Sequence, residues 1–184
     1  GDNYFQTNLF TVARRRVTWL LVLLLTNTVT GSIIGAQEDV LQKATVLAAF
    51  IPLLIGTGGN IGTQSSTVVI RGLSTNEMND LGPSKVVFRE GIAGLFLGLI
   101  LGTLATIWAY FLPQTERNIT VCISVGVSLV AISMLASVSG SALPFLFKRL
   151  GLDPALMSAP FITTAVDVLG VLIYFSIARA MLGI

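Results

Sequence analysis

GTGGNIGTQSST, residues 56–67, puts seven polar residues and four glycines into twelve positions. ATVLAAFIPLLI precedes it and VVI follows, so the polar run lies inside an apolar segment long enough to cross a bilayer. Hydrocarbon offers no partner to a bare polar group, so a run of this kind needs a reason. Thr57, Asn60, Gln64 and Thr67 recur at i, i+3, i+7 and i+10 and therefore share one helical face. Gly56, Gly58, Gly59 and Gly62 bare the backbone and are expected to permit local unwinding. Two accounts compete: small-residue helix packing with interhelical hydrogen bonds, or a segment that lines a wet cavity. The density of polar groups favours the cavity.

The rest of the chain sets that stretch in a membrane. Mean hydropathy is +0.84, 53% of the 184 residues are hydrophobic and only 11% are charged, against roughly 25% charged in soluble domains. A net charge of +2 without interleaved aromatic and basic residues argues against nucleic acid as a partner. The single cysteine, Cys122, rules out a disulfide framework. With no histidine in the chain, His-based zinc sites, Ser-His-Asp triads and Cys-His dyads are excluded. No nucleophile–base pair can be assembled from the polar residues that remain, so an enzyme is not expected.

Five segments have the length and apolarity of a helical span: residues 17–34, 44–70, 86–112, 119–147 and 154–182. Between them lie GAQEDVLQK, RGLSTNEMNDLGPSK, PQTERN and FKRLGLDP, which carry turn and capping residues. Pro113 is expected to end the third span, and Asp153-Pro154 to cap and open the fifth. The fold class is an all-α integral membrane protein with five transmembrane helices per chain. Four further spans favour a retained first helix over a cleaved leader, although Arg14, Arg15 and Arg16 ahead of it imitate one. With the amino end in the cytoplasm, eight of the eleven basic residues lie inside: Arg14, Arg15, Arg16, Arg71, Lys85, Arg89, Lys148 and Arg149. Lys43, Arg117 and Arg179 then lie outside, as does the carboxyl end. Five is an odd number and the polar motifs are not duplicated, so a central pathway is more simply made by symmetry between subunits than by an inverted repeat within one chain.

Asp167 stands thirteen residues past Pro154, near the middle of the fifth span. A carboxylate at such depth costs about 2.5–3.5 kcal/mol on insertion scales, and no basic residue in the spans matches its depth. Thr163, Asp167, Gly170 and Tyr174 run i, i+4, i+7 and i+11 and form one narrow polar face. Glu90 lies near the start of the third span, within reach of the interface. Gly94, Gly98 and Gly102, with Gly91, are expected to admit a neighbouring helix closely, and Ser124, Ser128, Ser133, Ser137, Ser139 and Ser141 to pack in the same way. The two polar faces lack thiolate, thioether and imidazole, so they suit a hard cation with oxygen ligands. One carboxylate per chain is too little to strip a divalent ion of its water, whereas Asp167 from two symmetry-related subunits could hold a hydrated one. The residues themselves lead as far as an oligomeric pathway for hard cations.

PLLIGTGGNIGTQSSTVVIRGL at 52–73 and LPFLFKRLGLDPALMSAPFITTAVDVLGVLIYFSIARA at 143–180 resemble the pore domain of the MgtE family of bacterial Mg²⁺ channels. The five-span pattern agrees from about residue 11 onward. The resemblance implies a homodimer in the bacterial plasma membrane with an axial pore lined by the second and fifth helices. Asp167 matches the family's central acid, which faces a hydrated Mg²⁺. Gly56, Gly59 and Thr67 match pore-lining positions of the second helix, and Thr163 and Gly170 match those flanking the acid. Asn60, on the same polar face, and Thr63 are expected to line the pore too. Thr63 and Ala159 depart from the family pattern, which often has Asn at both places; each loses an amide that could grip the water shell, so Mn²⁺ and other hydrated divalents are expected to pass as well. Full-length members carry cytosolic Mg²⁺-sensing domains joined by an amphipathic plug helix. Residues 1–16 read as the end of such a plug or as a basic anchor on anionic lipid, and 17–184 as the pore domain. Such a chain, an excised pore domain or a natural short form, is expected to close less in response to cytosolic Mg²⁺ than a full-length relative.

Three functional readings stand at this point. The first is a passive Mg²⁺ channel. The second is a proton- or Na⁺-coupled cation exchanger in which Asp167 titrates. The third is a membrane scaffold subunit that conducts nothing.

Overall fold

Asn8 starts the first helix: its Oδ1 accepts the backbone N–H of Phe10 at 2.9 Å, and α1 then runs over Leu9–Gly35. The computed structural model describes residues 4–78, 80–154 and 159–184, with the side chains of Ala159 and Pro160 left out. The first span therefore begins well before residue 17, and Arg14, Arg15 and Arg16 sit in its opening turns. Tyr4–Gln6 form a 3₁₀ turn, Thr7 and Asn8 stand outside any helix, and α1 carries residues 9–16 directly into the apolar stretch. Within α1 the hydroxyls of Thr26, Thr28, Thr30 and Ser32 each donate to the carbonyl four residues earlier, so none needs a partner from outside the helix.

A short helix, α2 (Glu38–Lys43), and a 3₁₀ turn (Thr45–Phe50) lead into α3 (Ile51–Ser74). Gly82 and Pro83 open α4 (Pro83–Phe111), which stops where Leu112 turns extended ahead of Pro113. Asn118 caps α5 (Ile119–Arg149) by accepting from Val121 N, and α6 spans Ala159–Leu182. Among the described residues five stretches, Leu9–Gly35, Thr45–Ser74, Pro83–Phe111, Ile119–Arg149 and Phe161–Leu182, are long and apolar enough to cross a membrane. For the fifth span, expected at 154–182, the described helix runs over Ala159–Leu182; the expected opening at Asp153-Pro154 leads into residues 155–158, which lie outside the described residues, as does the side chain of Ala159.

The spans alternate in direction, so α1 begins at the end of the bundle where α3 stops, α4 starts, α5 stops and α6 starts. That end carries Arg14–Arg16, Arg71, Lys85, Arg89, Lys148 and Arg149 and is called the near end below. α5 is the most enclosed span: it packs against α3, α4 and α6, while α1 rests chiefly on α6. At the near end Trp19 of α1 stacks on Phe161 of α6, and Phe147 of α5 meets the same ring edge-on.

Small residues decide how close the helices come. A Cβ built on Gly98 would stand 2.8 Å from the Val130 backbone, and one on Gly102 2.6 Å from the Gly126 carbonyl. Gly94 similarly abuts Ser137. Most of the α5 serines are buried, and Ser133 and Ser141 donate to carbonyls of their own helix. The α4–α5 pair is thus the small-residue seam expected from the glycine spacing.

At the far end Arg179, in the last turns of α6, grips Asp39: Nη2 donates to Oδ1 at 2.8 Å and Nη1 to Oδ2 at 3.1 Å. These hydrogen bonds hold the Asp39 carboxyl below its ordinary 3.8. Because the folded value is the depressed one, the stabilisation is present in full above the ordinary value and is lost as pH falls through the lowered one. The gap in thermal midpoint between the parent and Asp39→Asn is therefore expected to be constant from neutral to mildly acidic pH and to narrow below about pH 4. Scanning fluorimetry in detergent checks this; a gap that persists unchanged at pH 3 would refute it. The pair is solvent-exposed, so high salt should narrow the gap too.

Candidate functional site

The polar stretch of α3 divides into two faces. Gly58, Gly59, Ile61, Gly62, Ser65, Ser66 and Val69 are buried. Gly56, Asn60, Gln64 and Thr67 are exposed, with Thr63 partly so. At about 100° per residue, this second set occupies one side of the helix. The helix is continuous from Ile51 to Ser74, so the glycines do not unwind it as expected.

Three of the four glycines serve packing. A Cβ on Gly58 would stand 2.6 Å from Ile132 of α5 and 2.9 Å from Val166 of α6, and one on Gly62 2.8 Å from Ile162. Gly140 of α5 presses on the Gly62 backbone. The expectation that these glycines bare their backbone to a wet path is corrected for Gly58 and Gly62, whose missing side chains make room for α5 and α6. Gly59 is buried as well, but it stands on the edge of the exposed face that adjoins α6, with Thr163 Cγ2 3.0 Å from its built Cβ position. Gly56 meets nothing within 4 Å and is the one glycine of the four that lies open.

Thr57 marks the opposite edge. It is half-buried in an apolar cavity of about 600 Å³ between α3, α4 and α5, shared with Leu53, Leu101, Trp108 and Leu129. It therefore does not continue the open face of Asn60 and Gln64. Thr67 does, although its hydroxyl already donates to the Thr63 carbonyl at 2.8 Å and keeps only acceptor capacity.

Asp167 lies on α6 one turn past Thr163, and both are partly exposed. The Val166–Gly58 and Ile162–Gly62 contacts on either side clamp this part of α6 against α3. The Asp167 Oδ1 atom is buried and has no hydrogen-bond partner among the described residues. Gly170 and Tyr174, expected beside Asp167 on one polar face, are buried instead. Gly170 packs beside Ile132, and the Tyr174 hydroxyl donates to the Leu47 carbonyl at 2.7 Å. The described residues contain no group of three acidic, cysteine or histidine side chains able to enclose a bare metal ion. Among the described residues the candidate site within one chain is therefore a single carboxylate on α6, one turn past the Thr163 contact with Gly59 of α3.

Glu90 was not foreseen in its observed place. It turns inward from α4 and its Oε2 accepts the Ser65 hydroxyl at 2.9 Å, behind the open face of α3. The signal was present: Glu90 lies four and eight residues before Gly94 and Gly98, on the face that packs inward. Reading it as an interfacial acid overlooked that register.

The profile of the MgtE family, described as divalent cation transporter, matches residues 51–177, which include the α3 polar face, Glu90 and Asp167. The chain is 45% identical over 167 residues to the magnesium transporter MgtE of Thermus thermophilus, covering 91% of this chain and 36% of that protein. Against the Bacillus subtilis protein of the same name identity is 39%, over 98% of this chain and 40% of the relative. For that of Enterococcus faecalis it is 36%, over 90% and 36%. The chain thus spans about two fifths of the length of these relatives. Five membrane-spanning helices, the profile match over most of the chain and these identities agree, and the chain belongs to the MgtE family, whose members are divalent cation transporters and not enzymes.

Proposed function

We propose that this chain forms the conducting part of a passive Mg²⁺ channel, with two copies enclosing an axial pore lined by α3 and α6. The open polar face of α3 carries the reading: the exposed amides of Asn60 and Gln64, set beside Gly56, Thr63 and Thr67, are costly against lipid tails, unlike the exposed leucines and phenylalanines of α1 and α4. A second copy facing the first across water satisfies that face and brings two Asp167 carboxylates to one axis. Mg²⁺ holds its waters in an octahedron at about 2.0–2.1 Å and sheds them reluctantly. The carboxylates therefore accept hydrogen bonds from the hydrated ion, and the amides of Asn60 and Gln64 and the hydroxyl of Thr63 extend that outer shell. Gly59 keeps α6 close to α3 without filling the path. Thr63 offers a hydroxyl where an amide would reach further, so Mn²⁺ and other hydrated divalents pass too. The basic near end lies in the cytoplasm of a bacterial cell and the far end outside, a placement supported by the gathering of most basic residues at one end.

The unpartnered Oδ1 of Asp167 also suits a second reading, coupled exchange, since an acid that alternately binds a proton and a cation needs a free oxygen. The two readings part on energetics. Mg²⁺ uptake into proteoliposomes driven by a Mg²⁺ gradient alone, with proton and Na⁺ gradients collapsed by ionophores, is the expected result for a channel. Uptake that stops when those gradients are removed replaces it with exchange.

A further inference from the structure

The far end of α6 is held by more than packing. Arg179 uses every nitrogen of its guanidinium: Nη1 and Nη2 on the Asp39 carboxylate and Nε on Gln37 Oε1 at 2.9 Å. The acceptors lie 140 and 142 residues earlier in the chain. Further inside, Tyr174 donates to the Leu47 carbonyl. The segment from Gln37 to Phe50 is itself anchored, with Val40, Leu47 and Phe50 buried, and it runs without a gap through the 3₁₀ turn into α3. The last turns of α6 are thus hydrogen-bonded to the piece of chain that becomes α3.

The side chain suits this task. A guanidinium presents its donors in a rigid planar fork that meets a carboxylate with two parallel bonds while the third direction stays free for Gln37. An ammonium is a point charge on a flexible stem and cannot hold both partners in one geometry. Exposed ion pairs generally add little to stability, and Asp39 is 59% exposed. The contact acts instead through leverage. The tight helix contacts nearest Asp167, at Val166 and Ile162, lie toward the near end. From Val166 to Arg179 is about 20 Å at 1.5 Å per residue, so a tilt of about 3° about that point moves the last turn by about 1 Å.

We infer that Arg179 is a positioning residue for conduction: by bridging Gln37 and Asp39 it fixes the far end of α6 against the chain leading into α3, and so sets the width of the outer mouth. This rests on the reading of α3 and α6 as pore helices. Tyr174 and the buried apolar residues seat the segment, and Arg179 fixes the angle at which α6 leaves it.

The test compares the parent with Arg179→Lys, Asp39→Asn and the double variant. Mg²⁺ flux in proteoliposomes is measured over a range of Mg²⁺ concentrations. In the same set, nitroxide labels on Leu53→Cys and Ala180→Cys report the distance between the far ends of α3 and α6; the native Cys122 is buried. Each single variant is expected to lower maximal flux roughly fivefold with the half-saturating Mg²⁺ concentration unchanged, because the ion site near Asp167 is untouched. The double variant should be no worse than either single one, since both remove the same contact, and the label distance should broaden in all three. Unchanged flux, losses that multiply in the double variant, or an unchanged label distance overturns the inference. Failure of the pore reading is seen separately, as a parent that conducts no Mg²⁺; the label distance then still decides whether Arg179 holds the end of α6.

Discussion

Asp167→Asn is expected to lower Mg²⁺ flux about thirtyfold while leaving the thermal midpoint in detergent nearly unchanged. A carboxylate and a divalent ion about 4 Å apart, across one layer of water, attract by about 8 kcal/mol at an effective dielectric near 20 and by about 2 kcal/mol at that of bulk water. A water-filled path puts the lower figure in force, and about 2 kcal/mol corresponds to about thirtyfold. Asparagine has the same shape, and Oδ1 has no hydrogen bond to lose, so the fold has no reason to suffer. The measurement is uptake of Mg²⁺ into proteoliposomes, parent and variant side by side, at a fixed gradient. Equal flux in the two would remove Asp167 from the conducting path, and no flux in either would leave the scaffold reading standing.

Gly126→Leu is expected to damage the fold severely. A Cβ at Gly126 would stand 2.8 Å from the Gly102 carbonyl oxygen and would collide with the Thr106 hydroxyl. Gly102 in turn lies against the Gly126 carbonyl. Two backbones interlock here, and backbone cannot swing aside as a side-chain tip can. Overpacking a close contact costs about 1–3 kcal/mol, occasionally more, and a whole leucine between helix backbones belongs at or above that upper end. A lowered thermal midpoint and a loss of monodisperse protein on size exclusion are the expected readouts. Gly56→Ala is the control: the position meets nothing within 4 Å, and its midpoint should match the parent. A midpoint for Gly126→Leu equal to that of Gly56→Ala would refute the account of the seam.

The structure distributes the glycines differently from their appearance in the chain. In α4 they stand alone among apolar residues, and periodicity identified them as contacts for another helix. In α3 they are mixed with hydroxyls and amides, and the same periodicity suggested one wet face for all of them. Gly58 and Gly62 belong to the packed side because Ile132, Val166 and Ile162 occupy the space their side chains would fill. The sequence of α3 alone names none of those neighbours. Thr57 was assigned with Asn60 and Gln64 for a similar reason, since its neighbour across the cavity is α4. Gly170 and Tyr174 share a helical face with Asp167, but that face turns from α3 toward α5 and the link before α3 as it runs along α6.

What the sequence determined by itself was the membrane environment, the five spans, the family and the depth of Asp167 within its span. Each of these follows from local quantities: hydropathy over a window of about 20 residues, helical periodicity, and the cost of a carboxylate in hydrocarbon. Tertiary structure alone decided which side of α3 stays open, that Glu90 turns in to Ser65, and that Arg179 reaches back to Gln37 and Asp39. Those facts depend on which helices neighbour one another. That choice is made by contacts between residues far apart in the chain, where small side chains let backbones meet and a polar group must find its partner in another helix.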